Sequence, residues 1–404
     1  MEQTTALSEE LKKVILGHET PLYVYDTKEI RKNFINLRQA LPTNFNILYS
    51  LKANPHPRVI SELKELGSCF DVASYSELKT VLDAGVSPTK ISFVGPGKTE
   101  REIRFALESK VEIIVTESLD QLKLVNQVAG EFGINQKITA RVNPKEYVDL
   151  KGRVRMNRSI QFGIDEEDLG AFFELVAQCK NVKMCGIHTH VQSQILEPGS
   201  IAQNFEMTWK LFNFIKEKYN SSMNIINFGG GFGIPYLPTE NKLDMNGLKE
   251  KLAPFAGIGA ELTPFAETGR YIVGPTGFFV TKVLYRKESR GKKLLVMDGG
   301  MNNNFSVVGA AQFERRNYIV TPLLNEKNRK ANYAAETANY DSSKKYEYTL
   351  VGPSCYFMDT LGNDLELPEM FPGDYVCFHN SGCYGRSFSP TLFLGQQVAQ
   401  EIFV

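Results

Sequence analysis

Between residues 45 and 270 the chain alternates apolar runs with amphipathic stretches. Strand-like runs begin near Asn46, Cys69, Ile91, Val111, Lys137, Met184, Asn224 and Thr263. The stretches between them repeat at helical spacing. In VISELKEL, Val59, Leu63 and Leu66 fall on one face at i, i+4, i+7. SELKTVLDAG, REIRFALES, DQLKLVNQVAGEF and DLGAFFELVAQC read the same way. Gly67, Gly85 and Gly133 stand near expected helix ends, where a left-handed cap suits glycine. Eight strands, each followed by a helix, predict an α/β fold, a closed (β/α)8 TIM barrel over residues 27–270. An open doubly wound sheet is the alternative.

After Arg270 the pattern changes. GFFVTKVLYRKE, KKLLVMDGG, YEYTLVGPSC and GDYVCFHNSG are strand-like, separated by turns, with little helical period. They predict a C-terminal all-β domain over 271–404. The early run PLYVYD is expected to join it, so that residues 1–26 belong with that domain. The polar stretch from Asn325 to Lys345 has weak period and reads as a long surface loop.

Composition narrows the function. The chain has 404 residues, 42% hydrophobic and 23% charged, which excludes intrinsic disorder. Forty-six Lys+Arg balance 46 Asp+Glu, so neither nucleic acid nor a membrane surface is expected as an electrostatic partner. The six cysteines form no CxxC or zinc spacing, so no metal is expected. MEQTTALSEELKK lacks the basic and apolar regions of a signal peptide, and no run reaches the ~18 apolar residues of a membrane span. The expectation is a reduced, cytoplasmic protein.

In a barrel, reactive groups belong at the C-terminal ends of the strands. Lys52 closes the first in ILYSLKAN, where a partly apolar mouth would desolvate its amine and permit Schiff-base chemistry. Asp71 ends the second and Arg141 the fifth. His188 and His190 lie two apart on the sixth, with no further ligand spaced to make a metal site. The seventh runs into Gly229, Gly230, Gly231 and Gly233, a turn able to offer N–H groups to a phosphate. Glu267 ends the eighth, with Arg270 three residues on. Each has an ordinary structural use alone. Together, lysine, histidine, glycine turn and carboxylate suit pyridoxal 5′-phosphate.

On these residues the chain resembles the fold-type III pyridoxal-phosphate decarboxylases, the family of diaminopimelate and eukaryotic-type ornithine decarboxylases. The likeness runs from PLYVYD to FSPTLFLG. It implies that Lys52 in YSLKAN is the Schiff-base lysine and that FDVAS, with Asp71 and then Glu77, is a family block. HTHVQSQ implies His190 against the cofactor ring and Ser193 near the phosphate. GGGFG is similar to the phosphate-binding turn. ETGRY implies Glu267 as the partner of the pyridine nitrogen and Arg270 as a phosphate or turn contact. GPSC implies that Cys355 enters the neighbouring subunit's site in a homodimer and reprotonates Cα. GCYG implies Tyr384 on the phosphate. Related alanine racemases place arginine at the ring nitrogen, so Glu267 favours decarboxylation.

The departures concern the substrate. Family members acting on free diaminopimelate or ornithine usually carry an acid directly after the GPxC cysteine; here it is Tyr356. DGGMNNNFSVVGAAQ replaces a segment with Arg-Pro, and Gln192 stands where the phosphate loop normally has glycine. KGRVRMNRSI carries Lys151, Arg153, Arg155 and Arg158 in the stretch that lines the substrate's distal end in the family. Arg141, Arg153, Arg155, Arg158, Tyr356 and Asp359 are therefore the expected substrate contacts. An anionic or acylated distal group is expected, as in citryl-ornithine or citryl-diaminopropionate of carboxylate siderophore assembly. The alternatives are a free diamino acid, a carrier-protein-bound amino acid, or a non-catalytic mimic of a decarboxylase.

Overall fold

The computed structural model describes residues 7–220, 222–259, 261–309, 317–338, 340–341 and 343–404. The last residues of the DGGMNNNFSVVGAAQ segment, Ala310, Ala311 and Gln312, lie outside the described residues. The chain forms two compact units. One comprises Ile30–Ile234 and Asn241–Ile272; the other takes in the chain up to Glu29, Pro235–Glu240 and Val273–Val404.

The first unit contains all eight expected strands: β1 (Asn46–Ser50), β2 (Cys69–Val72), β3 (Ile91–Phe93), β4 (Ile113–Thr116), β5 (Gln136–Asn143), β6 (Val182–His188), β7 (Ile225–Asn227) and β8 (Thr263–Thr268). All neighbours pair parallel, and β6 bonds both β7 and β5. The sheet is therefore closed, and the open alternative does not form. One cluster of Leu48, Cys69, Val94, Ile113, Val115, Cys185, Ile225 and Phe265 fills the interior. Alternate residues such as Tyr49, Phe70 and Ile114 are buried on the opposite face, as the period of two requires. The helices begin where the sequence supplies caps. Ser74 accepts from Glu77 N, Ser118 from Gln121 N, and Thr99 with Glu102 makes a full capping box. Gly67, Gly85 and Gly133 have φ of +81°, +72° and +64°, the left-handed ends expected of them.

In the second unit, strands run in the order Val320–Leu323, Tyr375–Phe378, Gly277–Ser289, Lys292–Met297, Lys345–Val351 and Thr360–Pro368. Leu22–Tyr25 pairs antiparallel with the start of Gly277–Ser289 and parallel with Gln400–Phe403. Leu22 and Val24 pack with Leu11, Ile15, Val280 and Cys377 on one face. Tyr23 and Tyr25 join Phe279, Met297 and Phe378 on the other.

The stretch from Asn325 to Lys345 corrects the loop expectation. It holds helices Glu326–Asn332 and Ala334–Thr337. Its anchor is Arg329, buried, with Nε and Nη2 on the Asp374 carboxylate and its guanidinium against the rings of Tyr340 and Phe371. A helix held by one buried ion pair carries no apolar stripe, so periodicity misses it.

Candidate active site

Strand register brings the rim together. His188 on β6 is level with Arg141 on β5 and with Asn227 on β7, and Ser50 on β1 with Asp71 on β2. Glu267, buried on β8, is the centre of the polar contacts. Asn227 Nδ2 donates to its Oε1 at 2.8 Å. His188 Nε2 stands 2.9 Å from the same oxygen, and His190 Nδ1 3.4 Å from Oε2. Burial works to raise the Glu267 carboxyl, but His188 and then His190 outweigh it and hold the group well below the usual carboxylate range. Burial pulls the His190 imidazole below its ordinary value, with Glu267 pulling the other way. Glu267 is thus an anion and His190 a neutral ring at neutral pH.

The glycine turn follows β7. Asn227 Oδ1 accepts from Gly229 N at 2.9 Å, and Gly229 O accepts from Glu267 N at 2.7 Å. Gly229 and Gly231 have φ of +67° and +103°. A Cβ on Gly229 or Gly230 would fall far inside van der Waals contact of the Thr189 or Glu267 carbonyl. Glycine is needed here for close backbone approach as well as for φ. Among the described residues the N–H groups of Gly230 and Gly231 donate to no protein acceptor, and both residues are only half-buried. Unpaired N–H groups at a positive-φ turn make an anion site. Ser193 is exposed and lies 3.2 Å, Oγ to Nε2, from His190. Gln192 has no positive φ, so the missing glycine brings no strain. The left-handed residue is Gln194, at +64°, whose side chain clasps the Ile234 backbone through both its oxygen and its nitrogen.

Lys52 lies in the one-turn helix Leu51–Ala53 just past β1, and it is exposed. The chain's own atoms therefore do not supply the desolvation expected of a partly apolar mouth. Asp71 is buried, and its Oδ1 has no hydrogen-bond partner. Burial, then Glu267, push its carboxyl well above the usual range, with Lys52 and Arg141 opposing. Glu77 turns back to accept from Ala73 N at 2.7 Å, just ahead of the helix that Ser74 caps. Arg270 begins the short helix Arg270–Val273.

Arg141 is held by a group that sequence reasoning missed. Its Nη1 is 3.4 Å from Glu117 Oε2, and its guanidinium lies over the Phe162 ring. Glu117 also accepts from Gly95 N at 2.7 Å and Gly163 N at 3.2 Å. Beside it Lys98, which burial pulls down to about 8, donates to the carbonyls of Gly95 and Val115. The available signal was position: Glu117 directly follows β4, a strand end of the kind that carries function.

The basic segment is a hairpin of Glu146–Val148 and Val154–Met156. Arg153 and Arg155 both reach Asp149, with Nε contacts of 3.0 Å to Oδ2. Their charge is partly neutralised within the hairpin, which corrects the expectation of a free basic cluster. Arg158 is exposed and has no ion pair among the described residues.

In the β unit, Cys355, Tyr356, Phe357 and Met358 form an exposed loop. Asp359 is no free substrate contact. It is buried, and its carboxylate accepts from Met301 N at 2.7 Å and Ser354 N at 3.1 Å. Its duty is to shape the cysteine loop. Tyr384 has a φ of +52°, and its carbonyl accepts from Ser306 Oγ at 2.7 Å.

Comparison with known proteins defines the class. Residues 27–274 match the family described as "Pyridoxal-dependent decarboxylase, pyridoxal binding domain". The L-glutamyl-[BtrI acyl-carrier protein] decarboxylase of Niallia circulans is 32% identical over 95% of this chain and 88% of its own length. The diaminopimelate decarboxylase of Aquifex aeolicus is 30% identical over 94% of this chain and 85% of its own. The crystal structure of Helicobacter pylori diaminopimelate decarboxylase with L-lysine superposes with a TM-score of 0.83 at 26% identity, covering 97% and 93% of the two chains.

The chain belongs to the pyridoxal-dependent decarboxylase family. It is a pyridoxal-phosphate-dependent amino acid decarboxylase with a TIM barrel and a β domain. The barrel residues fit that cofactor: a buried anion at Glu267, unpaired N–H groups at the glycine turn, and an exposed amine at Lys52.

Proposed function

We propose that this enzyme removes the α-carboxylate of an amino acid whose side-chain amine is already acylated, citryl-ornithine and citryl-diaminopropionate of carboxylate siderophore assembly being the conjugates to test. When bound, pyridoxal phosphate supplies an electron sink for the pair left at Cα. Lys52 would hold its aldehyde carbon; Gly229, Gly230, Gly231 and Ser193 would hold its phosphate, with Arg270 and Asp71 completing the cofactor set. His190 would face the ring, and Glu267 would keep the ring nitrogen protonated. The observation that carries the cofactor chemistry is the buried Glu267 carboxylate, met by Asn227 Nδ2 at 2.8 Å and His188 Nε2 at 2.9 Å, because an acid held charged there would keep a proton on the ring nitrogen and make the ring accept charge.

Cys355 returns a proton to Cα. We assign it to the site of a second copy, in a homodimer. Its loop supports this: Phe357 is 86% exposed and Leu392 91%, with Tyr356 and Phe393 in ring contact. Apolar side chains left this open favour burial against another protein surface.

Tyr356 supports the acylated substrate, since it cannot pair with a distal ammonium as an acid would. A carrier-bound substrate is the second reading, favoured by the Niallia circulans relative. Steady-state decarboxylation decides. Citryl conjugates should be turned over and free ornithine, lysine and diaminopimelate not. Turnover of a free diamino acid with kcat/KM above about 10⁴ M⁻¹s⁻¹, a usual enzyme value, with conjugates inert, overturns the substrate reading. Lys52→Ala should lose the visible absorption of bound cofactor.

A further inference from the structure

The two oxygens of Glu267 are not equivalent. Oε1 takes the Asn227 Nδ2 donor at 2.8 Å and has His188 Nε2 at 2.9 Å. Oε2 has His190 Nδ1 at 3.4 Å, and His190 is the more exposed of the two rings. His188 is 2% exposed, and neither of its ring nitrogens meets hydrogen-bond geometry among the described residues, so the 2.9 Å approach of Nε2 to Oε1 is a close electrostatic contact. Its one polar engagement is thus with the carboxylate. Two other charged groups of the rim do not replace it. Arg141 is committed to Glu117, and Asp71 is itself a buried acid that disfavours a second anion. A buried carboxylate with no partner takes up a proton rather than remain charged.

We infer that His188, with Asn227, is a positioning residue that fixes Glu267 through Oε1 and keeps it ionised for the cofactor's ring nitrogen. His188 touches no substrate in this scheme and acts only through Glu267. The inference rests on the cofactor reading above and assigns a duty to a histidine which that reading leaves unused.

The test uses two ligands on the refolding-checked, cofactor-free protein: pyridoxal phosphate, and its analogue with the ring nitrogen replaced by carbon. Affinities come from absorbance titration. His188→Leu should weaken pyridoxal phosphate about tenfold, the equivalent of one unit in the carboxyl's proton affinity. The carbon analogue should change by less than about twofold, because it makes no demand on the charge of Glu267. In a Glu267→Gln background, His188→Leu should cost nothing further. His188→Gln, which keeps a donor but no ring, should give an intermediate loss. Equal weakening of both ligands means a merely structural histidine and overturns the inference, as does no weakening of either. Should His188→Leu not fold, Asn227→Ala and His188→Gln carry the same two-ligand comparison. Failure of the unmutated protein to bind pyridoxal phosphate overturns the cofactor reading and this inference with it, a result distinct from the others.

Discussion

Asp71 sits at the end of β2 with one carboxylate oxygen unpartnered, and burial makes its charged form unfavourable. The sign of its effect on stability follows. In the unfolded chain the group ionises near pH 4. In the folded chain its proton is held to a higher pH, so between those two values the unfolded state releases a proton that the folded state keeps. The native state loses stability as pH rises through that window. Asp71→Asn should therefore raise the melting temperature at pH 7 more than at pH 4, measured by thermal melts of the cofactor-free protein. An equal gain at both would mean that the carboxyl is ordinary. Glu267 differs for a visible reason. It is as buried as Asp71, yet His188 and Asn227 meet it, and no such pair meets Asp71.

At the scale of elements, the glycine turn and the polar helix near Arg329 make contrasting cases. Gly230 faces the Glu267 carbonyl so closely that an added methyl has no room. Gly230→Ala should cost at least about 3 kcal/mol, since backbone rather than a flexible side chain must move, and it should weaken cofactor binding with it. Denaturant melts and absorbance titration read the two. Arg329→Ala leaves Asp374 buried and should cost about 3–5 kcal/mol. Such a loss should appear in a melt without shifting cofactor affinity. The sequence announced the first element through four glycines in five positions, a composition that few other structures need. It concealed the second, because an arginine reads as solvated until its aspartate, 45 residues away, is known to face it. The eight barrel strands were legible for the opposite reason: each repeats a local pattern, apolar run then amphipathic helix, that requires no distant partner. Glu117 was illegible at a strand end because its partners, Gly95, Gly163 and Arg141, come from two separate connections and the neighbouring strand β5. Arg153 and Arg155 were misread in the same way, as a basic surface, for want of Asp149 across the hairpin turn.

For the molecule as a whole, the proposed sharing of sites in a homodimer predicts complementation. Lys52→Ala and Cys355→Ala protomers, each nearly inactive, should recover activity on mixing, because one hybrid site keeps both the amine and the thiol. Statistical exchange in a dimer allows about a quarter of the unmutated activity. No recovery after verified subunit exchange would place Cys355 in its own chain's site or in none.

The order in which the strands are made sets a further condition. The barrel closes with residues 46–268, a continuous run apart from the short excursion at Pro235–Glu240. Leu22–Tyr25 waits for a partner made much later, Gln400–Phe403, and Val404 N finally donates to the Tyr25 carbonyl at 2.9 Å. On the ribosome, therefore, one edge of that early strand stays open until Gln400–Phe403 are made, long after every strand of the barrel. A nascent chain arrested after residue 300 should present that strand edge, still unpaired, to chaperones.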